Sequence, residues 1–185
     1  MGLDSYIFQV SKPALQDRTY RYQELLPQMI VITPQGQEDT RFRDLLPFIQ
    51  EVNVVNKYLN LEKLRKAFGY DEEPEIYGFS STGHIWVSGK KDGVREDHQA
   101  YGPDYSFEKE ERCLVCQQEE IVYWRKAYEV QSFFYEQLGD IENTGYHLIP
   151  METILAFNSI APASWGRLPE VEPSEDRALF YHEWY

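Results

Sequence analysis

Short runs of apolar and β-branched residues, each closed by a turn signal, dominate the first half of the chain. Ser5-Tyr-Ile-Phe-Gln-Val10 is bounded by Lys12-Pro13, and strand-forming residues stopped by proline predict a strand. Met29-Ile-Val-Ile-Thr33, closed by Pro34-Gln-Gly36, predicts a second. The polar, tyrosine-bearing stretch between them, Arg18 to Leu26, predicts a short helix or an extended connection. Further on, Glu75 to Phe79, the turn Ser80-Ser-Thr-Gly83 and His84 to Ser88 read as strand, turn and strand. Lys90-Lys-Asp-Gly93 then predicts a hairpin turn, with Asp-Gly supplying positive φ, into a third strand beginning at Val94. Alternation sets Ile85 and Val87 on one face of that hairpin and His84, Trp86 and Ser88 on the other.

Helical spacing takes over elsewhere. Asp39 or Thr40 can cap a helix to about Leu46, with a break at Pro47. In Asn60 to Phe68, Asn60 is placed as N-cap, Leu61, Leu64 and Phe68 recur on one face, and Gly69 is placed as the stop. Glu119 to Leu138 predicts a long amphipathic helix ending at Gly139. Its stripe holds Trp124, Ala127, Tyr128, Gln131, Phe134, Tyr135 and Leu138, about 120° wide, and Trp124, Ala127, Phe134 and Leu138 are expected to be buried. Pro150 to Ile160 predicts a shorter helix carrying Ile154, Leu155 and Phe157. Residues 161–177 are rich in proline and acid and read as irregular. The aromatic stretch Ala178 to Tyr185 predicts a strand or a segment docked on the core. Strands and helices without regular βαβ alternation indicate an α+β fold. The expected architecture is one domain over residues 1–185, a small antiparallel sheet packed against the long helix and shorter helices.

Charge narrows the function. Lysine plus arginine total 18 against 31 aspartate plus glutamate, a net charge of −13 over 185 residues. Such a field repels nucleic-acid backbones and anionic membranes and speeds encounter with basic surfaces. The expected partner is therefore a basic protein, not bare nucleic acid and not a membrane. Carboxylates cluster at Asp71, Glu72 and Glu73, at Glu108, Glu110 and Glu111, and between Glu170 and Asp176. These are the expected docking residues. Fourteen tyrosines suit such a surface, because tyrosine gives a large contact area at low entropic cost. No basic n-region opens the chain and no run of about 18 apolar residues exists. A cytosolic, reducing compartment is the simplest reading.

Motifs for chemistry are sparse. Cys113-Leu-Val-Cys116 is a single C-x-x-C, and zinc needs two further ligands that His98 or His147 would supply only through the fold. Buried structural cysteines are the leading reading, ahead of zinc or redox roles, and no metal or cofactor is expected. His84, His98, His147 and His182 form no H-x-x-x-H or H-E-x-x-H pattern. No G-x-S-x-G elbow is present. Gly89-Lys-Lys-Asp-Gly93 does not lead into a helix and lacks the phosphate-loop pattern.

Met1-Gly-Leu-Asp-Ser-Tyr-Ile-Phe8 together with Val122-Tyr-Trp-Arg-Lys-Ala127 resembles a family of small uncharacterised proteins encoded by phages and prophages. The family pattern continues with Asn and then with a His in an Ile-His pair. Those positions are Tyr128 and Gln131 in this chain, so an acid–base role resting on that histidine is lost and binding is favoured. The resemblance implies an accessory protein acting in the host bacterial cytoplasm. The leading expectation is an anti-CRISPR-like inhibitor of a basic host effector, such as a nucleic-acid-guided defence nuclease. Two other readings stay open. One is a nucleotide or small-molecule binding or modifying protein using Asp4, Arg125, Lys126 and Tyr128. The other is a phage structural component.

Overall fold

The computed structural model describes residues 3–185. In chain order, the described residues form β1 (Asp4–Ser11), β2 (Tyr20–Arg21), α1 (Tyr22–Leu25), β3 (Met29–Ile32), β4 (Gln50–Leu59) and α2 (Leu61–Phe68). There follow β5 (Glu75–Phe79), β6 (His84–Lys91), β7 (Val94–Tyr101) and β8 (Ser106–Arg125). The chain closes with α3 (Tyr128–Leu138), β9 (Tyr146–Leu148), α4 (Met151–Ile160) and β10 (Arg177–Trp184). Contacts divide them into two compact units. One comprises the described residues up to Val54 with Glu111–Tyr185, and the other is Val55–Glu110.

The first unit is built on a seven-stranded sheet in the order β2-β4-β8-β1-β10-β9, with β3 also pairing with β8. β1 lies antiparallel between β8 and β10. One face of the sheet is covered by α3 and α4. Ile7, Trp124, Leu179 and Tyr181 pack there with Val130, Phe134, Ile154 and Phe157. On the other face, the 3-10 segment Thr40–Phe48 places Leu45 and Phe48 against Val10, Ile30, Cys116 and Phe180. A further cluster holds Tyr20, Leu25, Val52, Val54, Cys113 and Val115.

The second unit is the antiparallel sheet β5-β6-β7 with α2. Its elements follow local signals. The Asn60 side chain accepts from the Lys63 N–H at 2.8 Å, and Gly69 ends α2 at φ 71°, as the cap pattern predicts. Asp92 and Gly93, both at positive φ, turn β6 into β7. Ile85 and Val87 are buried with Leu64 and Tyr70, on the face that alternation assigns to them. Ser88 is buried as well, although alternation assigns it to the other face.

The expected architecture is overturned in its main element. Strand accounts for 42% of the residues and helix for 28%, in a large sheet with only short helices. Residues 119–125 belong to the 20-residue β8, and the helix spans only Tyr128–Leu138. The buried side of that helix is also rotated from the expected stripe, since Val130, Phe133 and Phe134 are buried while Tyr128 is 57% exposed. Ala127 and Leu138 are partly buried against the core. Trp124 is buried, as expected, but from a strand, with its indole N–H donating to the Trp165 carbonyl at 3.1 Å. The glutamate- and glutamine-rich stretch 117–120 has good helix propensity. Pairing with β1 along one edge overrides it, because propensity is worth only tenths of a kcal/mol per residue, about 0 to 0.7. The Pro47 break is also absent, the 3-10 run continuing through it to Phe48. Between α4 and β10 the chain has only the 3-10 turn Ala163–Trp165, yet Leu168 and Val171 are buried in the core.

Candidate functional site

Three neighbouring strands build the site. Tyr6 of β1 stands opposite Tyr123 of β8 and His182 of β10. Side chains alternate faces along a strand, so Ser5, Ile7, Tyr181 and Glu183 turn to the helices and Tyr6, Phe8 and His182 turn away. A bulge between Ile7 and Phe8 in the β1–β8 register pairs Ile7 with Val122 and Phe8 with Glu120, which leaves Ile121 as the extra residue. A bulge of this kind shifts the alternation by one position. It puts the Glu120 carboxylate on the same face as Tyr123, which unbroken alternation forbids.

The rings form a continuous strip. Tyr6 stacks on Phe8 with centroids 5.5 Å apart and planes 9° apart, and on Tyr123 at 4.9 Å and 29°. His182 stacks on Tyr146 at 4.4 Å and 19°. Beyond the cover of Thr40–Phe48 the strip opens into a groove of about 580 Å³. Its floor is Tyr6, Phe8, His182 and Trp184, and its wall is Gln118, Glu119 and Glu120, with Pro27 and Gln28 at the margin. Trp184 is 63% exposed.

Polar groups along the groove are mostly acceptors. His182 Nδ1 lies 2.9 Å from the Gly145 carbonyl. A carbonyl only accepts, so Nδ1 carries the proton and Nε2 is left as an acceptor. Burial holds the His182 pKa below its ordinary value, with the Gly145 hydrogen bond opposing. The Gln118 amide donates to the Pro27 carbonyl at 3.3 Å, which fixes its orientation. Its Oε1 is buried and has no donor among the described residues. Burial, then the charges of Asp4 and Glu120, raise the Tyr6 pKa, keeping that phenol protonated.

The other expected residues are placed as follows. Asp4 and Arg125 are register partners across β1 and β8. They sit on two adjacent strands, and the Asp4 carboxylate accepts from the Tyr123 hydroxyl at 2.9 Å. Lys126 occupies the left-handed turn after β8 at φ 55°, its N–H donating to the Leu3 carbonyl at 2.7 Å. Tyr128 opens α3. None of these four lines the groove. Met1 and Gly2 of the family start lie outside the described residues.

The acidic clusters are only partly available for docking. Glu111 is 6% exposed, so it is corrected from a docking residue to a buried one. In the strand it points away from the face that carries Glu108 and Glu110, both exposed. Asp71 accepts from the Gly93 N–H at 3.1 Å, and Glu72 pairs with Lys90 at 3.4 Å. Glu73 is exposed in the loop between α2 and β5.

The C-x-x-C pair lies in mid-strand. Residues three apart on a strand point to opposite faces, and Cys113 and Cys116 accordingly sit in different clusters. They cannot chelate one ion or form a bond with each other in this fold. Burial pushes Cys116 up to about 12, and burial together with Glu111 pushes Cys113 to about 11. Among the described residues no group of three or more His, Cys, Asp or Glu is placed to hold a metal ion, and no helix is long and apolar enough to cross a membrane.

The groove residues Tyr6, Phe8, His182, Trp184 and Glu120 were missed as a site. Their signal was period-two placement of aromatic residues at both ends of the chain, Tyr6-x-Phe8 and Phe180-x-His182-x-Trp184. Comparison with protein-family models, with curated proteins and with solved structures finds no match to this chain.

Proposed function

We propose that this chain is a binding protein of phage or prophage origin that captures a basic host protein. It inhibits that partner by occupying the surface on which the partner holds nucleic acid, and a nucleic-acid-guided defence nuclease is the class of effector that carries such a surface. Its place of action is the host bacterial cytoplasm. The observation that carries the reading is the groove on the open face of the seven-stranded sheet, an aromatic floor walled by Glu119 and Glu120. Aromatic anchors inside a charged rim are the anatomy of a protein-recognition surface. The net charge of −13 supplies long-range attraction to a basic partner and repulsion of free nucleic acid.

The test is competition. The purified protein is mixed with basic nucleic-acid-binding host effectors and with their nucleic acid, at low salt and at a salt concentration that shortens the Debye length to below about 8 Å. Binding that weakens with salt and is displaced by the effector's nucleic acid is expected. The double reversal Glu119→Lys with Glu120→Lys abolishes it. Unchanged binding by that variant removes the groove from the interface, and direct binding of bare nucleic acid by the wild type removes the reading altogether.

A further inference from the structure

Resting on the basic-partner reading, we infer that the groove of Tyr6, Phe8, His182 and Trp184 is a seat for an arginine side chain of the partner, recognised as a planar guanidinium and not as a generic positive charge. The Phe8, Tyr6 and Tyr123 rings lie within 9° and 29° of parallel. Those rings stack face to face and spend their faces on one another, so the ring face open to a planar ion is that of the Trp184 indole, 63% exposed.

The groove offers the Glu120 carboxylate and an imidazole whose Nδ1–H is already given to the Gly145 carbonyl, with the buried, donorless Gln118 Oε1 behind its wall. A guanidinium carries five N–H donors in a fixed fork and no acceptor, whereas an ammonium is a hydrated point charge. Asp4 and Glu120 both act on the Tyr6 hydroxyl, so the negative field is concentrated at the aromatic floor. The bulge at Ile121 makes this possible by bringing a carboxylate onto the aromatic face.

The test uses three capped peptides of alternating glycine with arginine, lysine or citrulline, titrated against the full chain and followed by tryptophan fluorescence and calorimetry. Citrulline keeps the planar shape and removes the charge. Arginine peptide is expected to bind at least about tenfold more tightly than lysine peptide, and citrulline peptide weakest of all. Glu120→Gln and Trp184→Ala, both at exposed positions, are each expected to weaken the arginine peptide about fivefold or more and to shrink the arginine preference. Equal affinity for arginine and lysine overturns the guanidinium seat and leaves the basic-partner reading standing. Equal affinity for arginine and citrulline overturns both. Full arginine preference in Trp184→Ala and Glu120→Gln moves the seat elsewhere on the surface and overturns the inference.

Discussion

The two faces of strands β1 and β10 are made from alternate residues of the same segments, yet they behave as different materials. On the helix-covered face Glu183 is fully buried, and its carboxylate accepts from the Tyr135 hydroxyl at 2.7 Å, the Tyr181 hydroxyl at 3.0 Å and the Gln131 amide at 3.2 Å. Both oxygens of this carboxylate are hydrogen-bonded, one of them twice, as a buried charge requires. On the open face, one residue away on each side, His182 and Trp184 border Glu120, a carboxylate that keeps contact with solvent. A carboxylate satisfied inside the fold holds the fold together. A carboxylate left beside aromatic rings at the surface is available to something else.

This contrast is broken most forcefully by deleting rings. Trp124→Ala on the covered face removes a buried indole that packs on Phe157 with centroids 5.7 Å apart. It is expected to cost about 3–5 kcal/mol, read by chemical denaturation. Trp184→Ala on the open face is expected to leave the denaturation midpoint within experimental error, since surface changes away from packed contacts are usually within about ±0.5 kcal/mol. An equal loss from both would show that the open face is closed in solution. A smaller but clear loss, about 1.5–3 kcal/mol, is expected for Tyr181→Phe, which removes one donor from the buried Glu183 carboxylate. A neutral result would mean that water or another donor already serves Glu183.

What could be read from sequence divides along the same line, between local and distant causes. Helix α2 and the β6–β7 hairpin were legible because Asn60, Gly69, Asp92 and Gly93 act on their own neighbours. Strand β8 was not. Gln117 to Glu120 favour a helix locally, and pairing with Phe8 to Ser11, more than a hundred positions away, together with the Gln28–Met29 end of β3, turns them into strand. Losing that strand also hid the site, because Tyr123 and Glu120 join Tyr6 and His182 only across the sheet. The C-x-x-C pattern misled for the same reason. Its spacing brings two thiols together on a helix or turn and drives them apart on a strand.

The cysteines give the next smaller effect. Each thiol is held neutral by burial, Cys116 up to about 12 from the ordinary 9.0. A folded-state pKa above the unfolded one contributes stability that is complete below pH 9 and is lost as pH rises from there toward 12. Cys116→Val, which cannot ionise, is therefore expected to flatten the alkaline limb of the stability curve between those values and to leave neutral pH little changed. Iodoacetamide should label neither cysteine in the native protein and both in denaturant. Rapid labelling of the native chain would contradict the burial of both thiols.

The smallest expected change in stability is at the border of the groove, and it bears most directly on function. Tyr123→Phe keeps the ring stacked on Tyr6 and removes only the hydroxyl that donates to Asp4. Tyr123 is 43% exposed, so water replaces the lost donor at the Asp4 carboxylate and the denaturation midpoint should not move measurably. The freed Asp4 carboxylate gains acceptor capacity beside the aromatic strip. If that strip receives a cationic side chain, Tyr123→Phe should bind a basic partner as tightly as the wild type or more tightly, with a steeper salt dependence. Tyr123→Ala, which also removes the ring, should weaken binding without unfolding the sheet. Loss of stability in Tyr123→Phe would instead make the Asp4–Tyr123 pair a clamp between β1 and β8, and the open face would then serve the fold in the way the covered face does.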